Sequence, residues 1–133
     1  MHEAGHWVFA IFGDTIGTFG GTLMQLLMPV IFVIAFLRQS DYFGAAFGLG
    51  WLADNLFGVA IYIADARKML LPLLGGDNVG HDWNNLLSKF GLLEYDAEIA
   101  LAVKFSAVII MSVALVFGLM ILWEMYKSRE KLN

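Results

Sequence analysis

Apolar positions in this chain gather into long unbroken runs, not the alternating or three-in-seven patterns of half-buried strands and surface helices. Three runs approach the roughly 20 residues that a bilayer crossing takes. The first, residues 22–37 (TLMQLLMPVIFVIAFL), reaches that length when Gly20 and Gly21 join it. Pro29 at its middle removes a backbone donor and predicts a kink. The second, residues 43–64 (FGAAFGLGWLADNLFGVAIYIA), places Gly44 and Gly48 at a spacing that suits close helix contact. The third, residues 97–123, is interrupted by Lys104. Its lipid core therefore reads as residues 105–123, with 97–104 as an interfacial turn whose lysine snorkels, and Trp123 and Tyr126 marking the far interface. A shorter apolar run, residues 4–12, cannot cross and reads as a half-helix.

Two connectors stand out. Residues 14–22, where Thr15, Thr18 and Thr22 alternate with glycines, disfavour a continuous helix. They read as an extended segment able to pair with a peptide strand, or as a plain turn between two helices. Residues 65–96 are too long and too apolar for a simple connector. Within them, KMLLPLL and LLSKFGLL read as interfacial or re-entrant helices separated by the turn GGDNVG. The expectation is an all-α, polytopic helical membrane protein. It has about three spans, a short N-terminal half-helix and a long functional loop at 65–96, within a single membrane-embedded domain over residues 1–133.

Composition sharpens this. The chain is 59% hydrophobic and 15% charged, against about a quarter charged in soluble domains, so the lipid bilayer is its expected solvent. A net charge of −4 excludes nucleic acid as a partner, because phosphate contacts need clustered Lys and Arg. With no cysteine, thiol catalysis and Cys metal sites are excluded. Arg38, Lys127, Arg129 and Lys131 lie on one side of the membrane, and Arg67, Lys68 and Lys89 on the other. The positive-inside rule then leans to a cytoplasmic C-terminus.

The chemistry is concentrated at the start, MHEAGHWVF. His2 and His6 stand four residues apart, so on a helix both imidazoles reach one ion, while Glu3 is rotated away and suits a general base. A catalytic zinc takes three protein ligands and keeps one open position. The candidates for the third are Asp65 in YIADAR and His81 in GHDW, with Asp82 beside it, and Asp54 midway along the second span. Each has a plainer reading: Asp65 as a helix-end acid paired with Arg67, His81 as a solvated loop histidine, and Asp54 hydrogen-bonded to Asn55 or to a neighbouring helix. Asp65 and the loop carrying His81 end on the side of the membrane to which residues 13–21 belong, which ranks those two first. The histidine spacing does not suit bis-His haem, and no serine stands in a nucleophile motif.

The segments HEAGHWVF, FGGTLMQLLMP, WLADNLFGVAIYIADAR, LPLLGG and HDWNNLL followed by LLEYD resemble a group of small bacterial membrane proteins carrying a site-2-protease-like zinc motif. The resemblance runs to about Ile99. It implies a membrane-embedded Zn²⁺ metallopeptidase of the bacterial cytoplasmic membrane, cleaving a membrane-proximal peptide segment, or a relative of one. His2 and His6 would be ligands, Glu3 the base, and Asp65, His81 and Asp82 further functional candidates. Site-2 proteases proper place an aspartate ligand in an L/N-x-D-G-type motif, to which only ADAR here is loosely comparable, so the third ligand stays open. The position of the motif carries its own expectation. His2 would ligate from a fraying first turn beside a cationic α-amino group, which predicts that the native chain begins earlier and that an upstream helix is missing. The alternative function is a catalytically inactive helical subunit, assembly or regulatory, with a vestigial metal site.

Overall fold

A computed structural model describes residues 2–9, 11, 13–71 and 81–131, apart from the side chains of residues 2, 3, 6, 14–16 and 18. Among the described residues five α-helices follow one another: α1 (His2–Phe9), α2 (Asp14–Arg38), α3 (Tyr42–Ala64), α4 (Asp82–Lys89) and α5 (Asp96–Glu130), with a 3-10 turn at Leu93–Tyr95 before the last. Among the described residues there is no strand. Three helices are long and apolar enough to cross a membrane, over Phe19–Arg38, Tyr42–Ala64 and Leu93–Glu130. These are the three expected spans.

The helix ends follow local chemistry. The backbone reverses after Arg38 through Ser40, which takes a positive φ of 57°. The Asp41 carboxylate then accepts from Gly44 N at 2.9 Å and caps α3. α5 begins with Asp96 and Glu98 and ends with Lys127 and Arg129, each charge opposing the helix-dipole end it sits on.

α3 is central, packed against α2 on one side and α5 on the other, while α1 packs on α2. Buried Ala100, Ala107 and Ala114 repeat every seven residues on α5, the period of left-handed helix packing with small side chains at the seam. The α2–α3 contact uses Gly48, where an added Cβ would come within 2.8 Å of Val33. A polar clamp also ties α2 to α3: Gln25 Nε2 donates to Asn55 Oδ1 at 3.0 Å, and Asn55 Nδ2 to Trp51 O at 3.0 Å. α4 closes the loop end of the bundle, burying Trp83 and Leu87 against Val59, Ile63, Ala66 and Ala100. Large side chains on the outer face of α5, including Leu101, Phe105 and Leu119, are exposed, as a lipid-facing helix requires.

Two local expectations change. Residues 14–20 are helical, the first turns of α2, and not extended. Gly17 and Gly20 are buried there, and Gly20 serves close approach by meeting Gly5 of α1. Residues 97–104 continue α5 without a turn, since an exposed lysine does not break a helix that keeps its backbone hydrogen bonds inside the segment. Pro29, the residue at which the kink is expected, lies buried within α2. Of the two expected loop helices, LLSKFGLL supplies the end of α4 and the approach to the 3-10 turn. KMLLPLL is non-helical through Leu71, and its remainder, with GGDNVG, lies outside the described residues.

Candidate functional site

The HEAGH motif lies on a helix, so His2 and His6 have the one-turn backbone spacing the motif needs. The side chains of His2, Glu3 and His6 are outside the described residues. What fixes α1 is the glycine between them. A Cβ on Gly5 would collide with the carbonyl oxygen of Gly20 and come within 2.8 Å of Met24 Cβ, and a Cβ on Gly20 would lie 2.6 Å from Gly5 O. Only glycine at both positions permits this approach.

The residue before Gly20 on α2 reaches a different element. The Phe19 ring meets Trp83 of α4 edge-on, at 5.7 Å between centroids. A single turn of α2 therefore touches α1 through Gly20 and the helix that begins with HDW through Phe19.

At the base of α4 the structure brings Asp65 and His81 together. Asp65 ends α3, and its two carboxylate oxygens accept from Leu70 N at 3.1 Å and Leu71 N at 2.9 Å. His81 caps α4: its Nδ1 accepts from Asn84 N at 3.3 Å. Its Nε2 lies 3.4 Å from Asp65 Oδ2, an electrostatic contact longer than an ordinary N–H···O bond. The Tyr62 ring packs on the imidazole at 4.4 Å, and Tyr62 Oη accepts from Asp82 N at 3.3 Å. Asn84 Nδ2 donates to Ala66 O at 2.8 Å and ties α4 to the end of α3. Asp65 and His81 are 9% and 5% exposed, so neither is a solvated group.

The hydrogen bonds assign the histidine tautomer. An Nδ1 that accepts an N–H carries no proton, so the proton of the neutral ring sits on Nε2, facing Asp65. A metal-ligating histidine instead donates with the nitrogen opposite the metal. His81 can ligate only by surrendering its cap. Asp65 differs, because an ionised carboxylate offers about four lone-pair sites. Burial works to raise its pKa, but the Leu71 and Leu70 N–H groups and the His81 ring outweigh that and hold it below the usual carboxylate range. It is an anion with acceptor capacity left over.

The other candidates sit elsewhere. Arg67 does not pair with Asp65. It forms a two-pronged bridge to Asp96, with Nε donating to Oδ2 at 2.8 Å and Nη2 lying 2.6 Å from Oδ1. Asp96 is 1% exposed, and this bridge fastens the end of α3 to the start of α5. Asp54 is exposed on the outer face of α3 and outside the Asp65–His81 cluster. Its neighbour Asn55 bonds to Gln25 and Trp51 instead. Among the described residues no group of three His, Asp or Glu side chains could hold a metal. Tyr62, Asn84 and Asp96 were not singled out in the sequence. Tyr62 stands three residues before Asp65 and Asn84 three after His81, the spacings of a shared helix face and of a helix cap, which were the available signals.

The fold defines a class, an all-α protein whose three long apolar helices suit a lipid bilayer. Comparison with protein-family models, curated proteins and solved structures finds no match for this chain.

Proposed function

We propose that this chain is a membrane-embedded zinc metallopeptidase of site-2 type, with His2, His6 and Asp65 as metal ligands and Glu3 as general base. The observation that carries the reading is the double contact made by one turn of α2. Gly20 holds α1 at Gly5, and Phe19 holds α4 at Trp83, two residues from His81, so the motif helix and the Asp65–His81 cluster attach at the same level of the bundle. Asp65 fits the third-ligand role by its donor chemistry, as an anion with unused lone pairs. His81 then supports it as an outer partner through its 3.4 Å electrostatic contact.

Zinc, when bound, supplies Lewis acidity toward the scissile carbonyl and acidifies water. Glu3 takes the proton from the attacking water and delivers it to the leaving amine. The substrate is a membrane-proximal peptide segment. In a liposome assay on such peptides, Glu3→Gln is expected to keep its metal and lose at least about 100-fold in hydrolysis. Undiminished cleavage would remove Glu3 from the role.

A second reading is favoured by the same cluster. Asp65 and His81 are both engaged in holding the ends of α3 and α4, which is what a non-catalytic helical subunit would require of them. Purified protein without stoichiometric metal would support that reading.

A further inference from the structure

Asp54 lies twelve residues after the start of α3 and ten before its end, close to the middle of a membrane-crossing helix. It is exposed, and it makes no hydrogen bond or ion pair among the described residues. A lone carboxylate facing lipid at that depth is costly, and such groups ordinarily face a partner. Asp54 opens onto a groove of about 700 Å³ between α3 and α5, otherwise apolar, lined on α3 by Phe43 to Asp54 and on α5 by Met111 to Leu122. The groove runs along about three helical turns, or ~16 Å. An added Cβ at Gly50, on the α3 side, would meet nothing within 4 Å, so this stretch of wall is open to whatever lies alongside.

We propose that this groove docks a transmembrane helix of another protein that carries a Lys or Arg near its centre, paired with Asp54. Shape supports a helix: the groove is long, straight and parallel to two helices, and Gly50 permits close backbone approach. Charge sets the partner's central residue. A second copy of this chain is the obvious rival, since exposed Lys104 on α5 is a cation within a span. Depth argues against it. The Gly118–Ala46 contact fixes the antiparallel register of α5 and α3, and in that register Asp54 and Lys104 differ by about six residues, or ~9 Å of depth. A two-fold axis along the membrane normal preserves that offset, and the Cα–Cβ bonds, tilted toward each helix's own N-terminus, lean the two side chains further apart.

The test uses the full chain in liposomes, fluorescently labelled, with synthetic leucine-rich transmembrane peptides bearing a central Lys, a central Glu or Leu alone. Energy transfer is expected to show the Lys peptide binding about fivefold more tightly than the Leu peptide, with the Glu peptide weakest. Asp54→Asn should abolish the Lys preference, and Gly50→Ile should weaken the Lys and Leu peptides alike. Equal binding of Lys and Leu peptides, or a Lys preference that survives Asp54→Asn, overturns the proposal. So does Asp54-dependent energy transfer between two copies of the chain without peptide.

Discussion

Asp65 and Asp54 are eleven residues apart on one stretch of chain and live in opposite circumstances. Asp65, at the helix end, collects two backbone N–H groups and a histidine, and is nearly buried. Asp54, mid-helix, collects no partner among the described residues and faces outward. A helix interior has already spent its N–H groups on its own carbonyls, whereas the turn after a helix end has N–H groups to give. Charge at the loop end is thus satisfied within the chain, and charge at mid-span must be satisfied from outside it. The Arg67–Asp96 bridge belongs with Asp65 on the satisfied side.

Removing a satisfied charge should therefore cost much more than removing the outward one. The largest effect is expected at Asp96→Ala, which removes the bridge between Arg67, just past the end of α3, and the start of α5. Its thermal unfolding midpoint in detergent should fall by about 5–10 °C. A fall no larger than that of Asp54→Asn would break the comparison. Gly20→Leu comes next, because its side chain cannot coexist with Gly5 O. It should detach α1 while leaving α2–α5 folded, raising amide exchange in residues 2–9 to the level of an open terminus.

His81 separates its two duties. His81→Ala loses both the α4 cap and the Asp65 contact, at a cost of about 1–2 kcal/mol. His81→Asn, a good capping residue, should recover about half of that, since it restores the bond to Asn84 N but not the contact with Asp65. No recovery would mean that the cap contributes little. The smallest effect is expected at Asp54→Asn, a shift in the unfolding midpoint of about 2 °C or less for the isolated chain.

The spans were legible because hydropathy and length are local properties of a run, and α2, α3 and α5 fall where the apolar stretches lie. What was misread depended on neighbours. Residues 14–20 look irregular by composition, yet Gly20 meets α1 at Gly5, and packing reverses the sign of the glycine penalty there. Lys104 looked like a boundary because a charge in lipid is costly, but the helix carries it at its surface unbroken. At the candidate site, the sequence singled out Asp65 and His81 separately. It could not pair them, because their meeting depends on how α4 returns to the end of α3. Arg67 was assigned to the nearer acid in sequence and belongs to the one 29 residues on.

The measurement that bears most directly on the proposed function is the zinc content of detergent-purified protein by mass spectrometry, for the wild-type chain, His6→Ala, Asp65→Asn and His81→Asn. The account expects about one zinc per chain in wild type, loss in His6→Ala and Asp65→Asn, and retention in His81→Asn with metal affinity lowered about tenfold or more. Zinc absent from the wild type, or present and indifferent to Asp65→Asn, would contradict it.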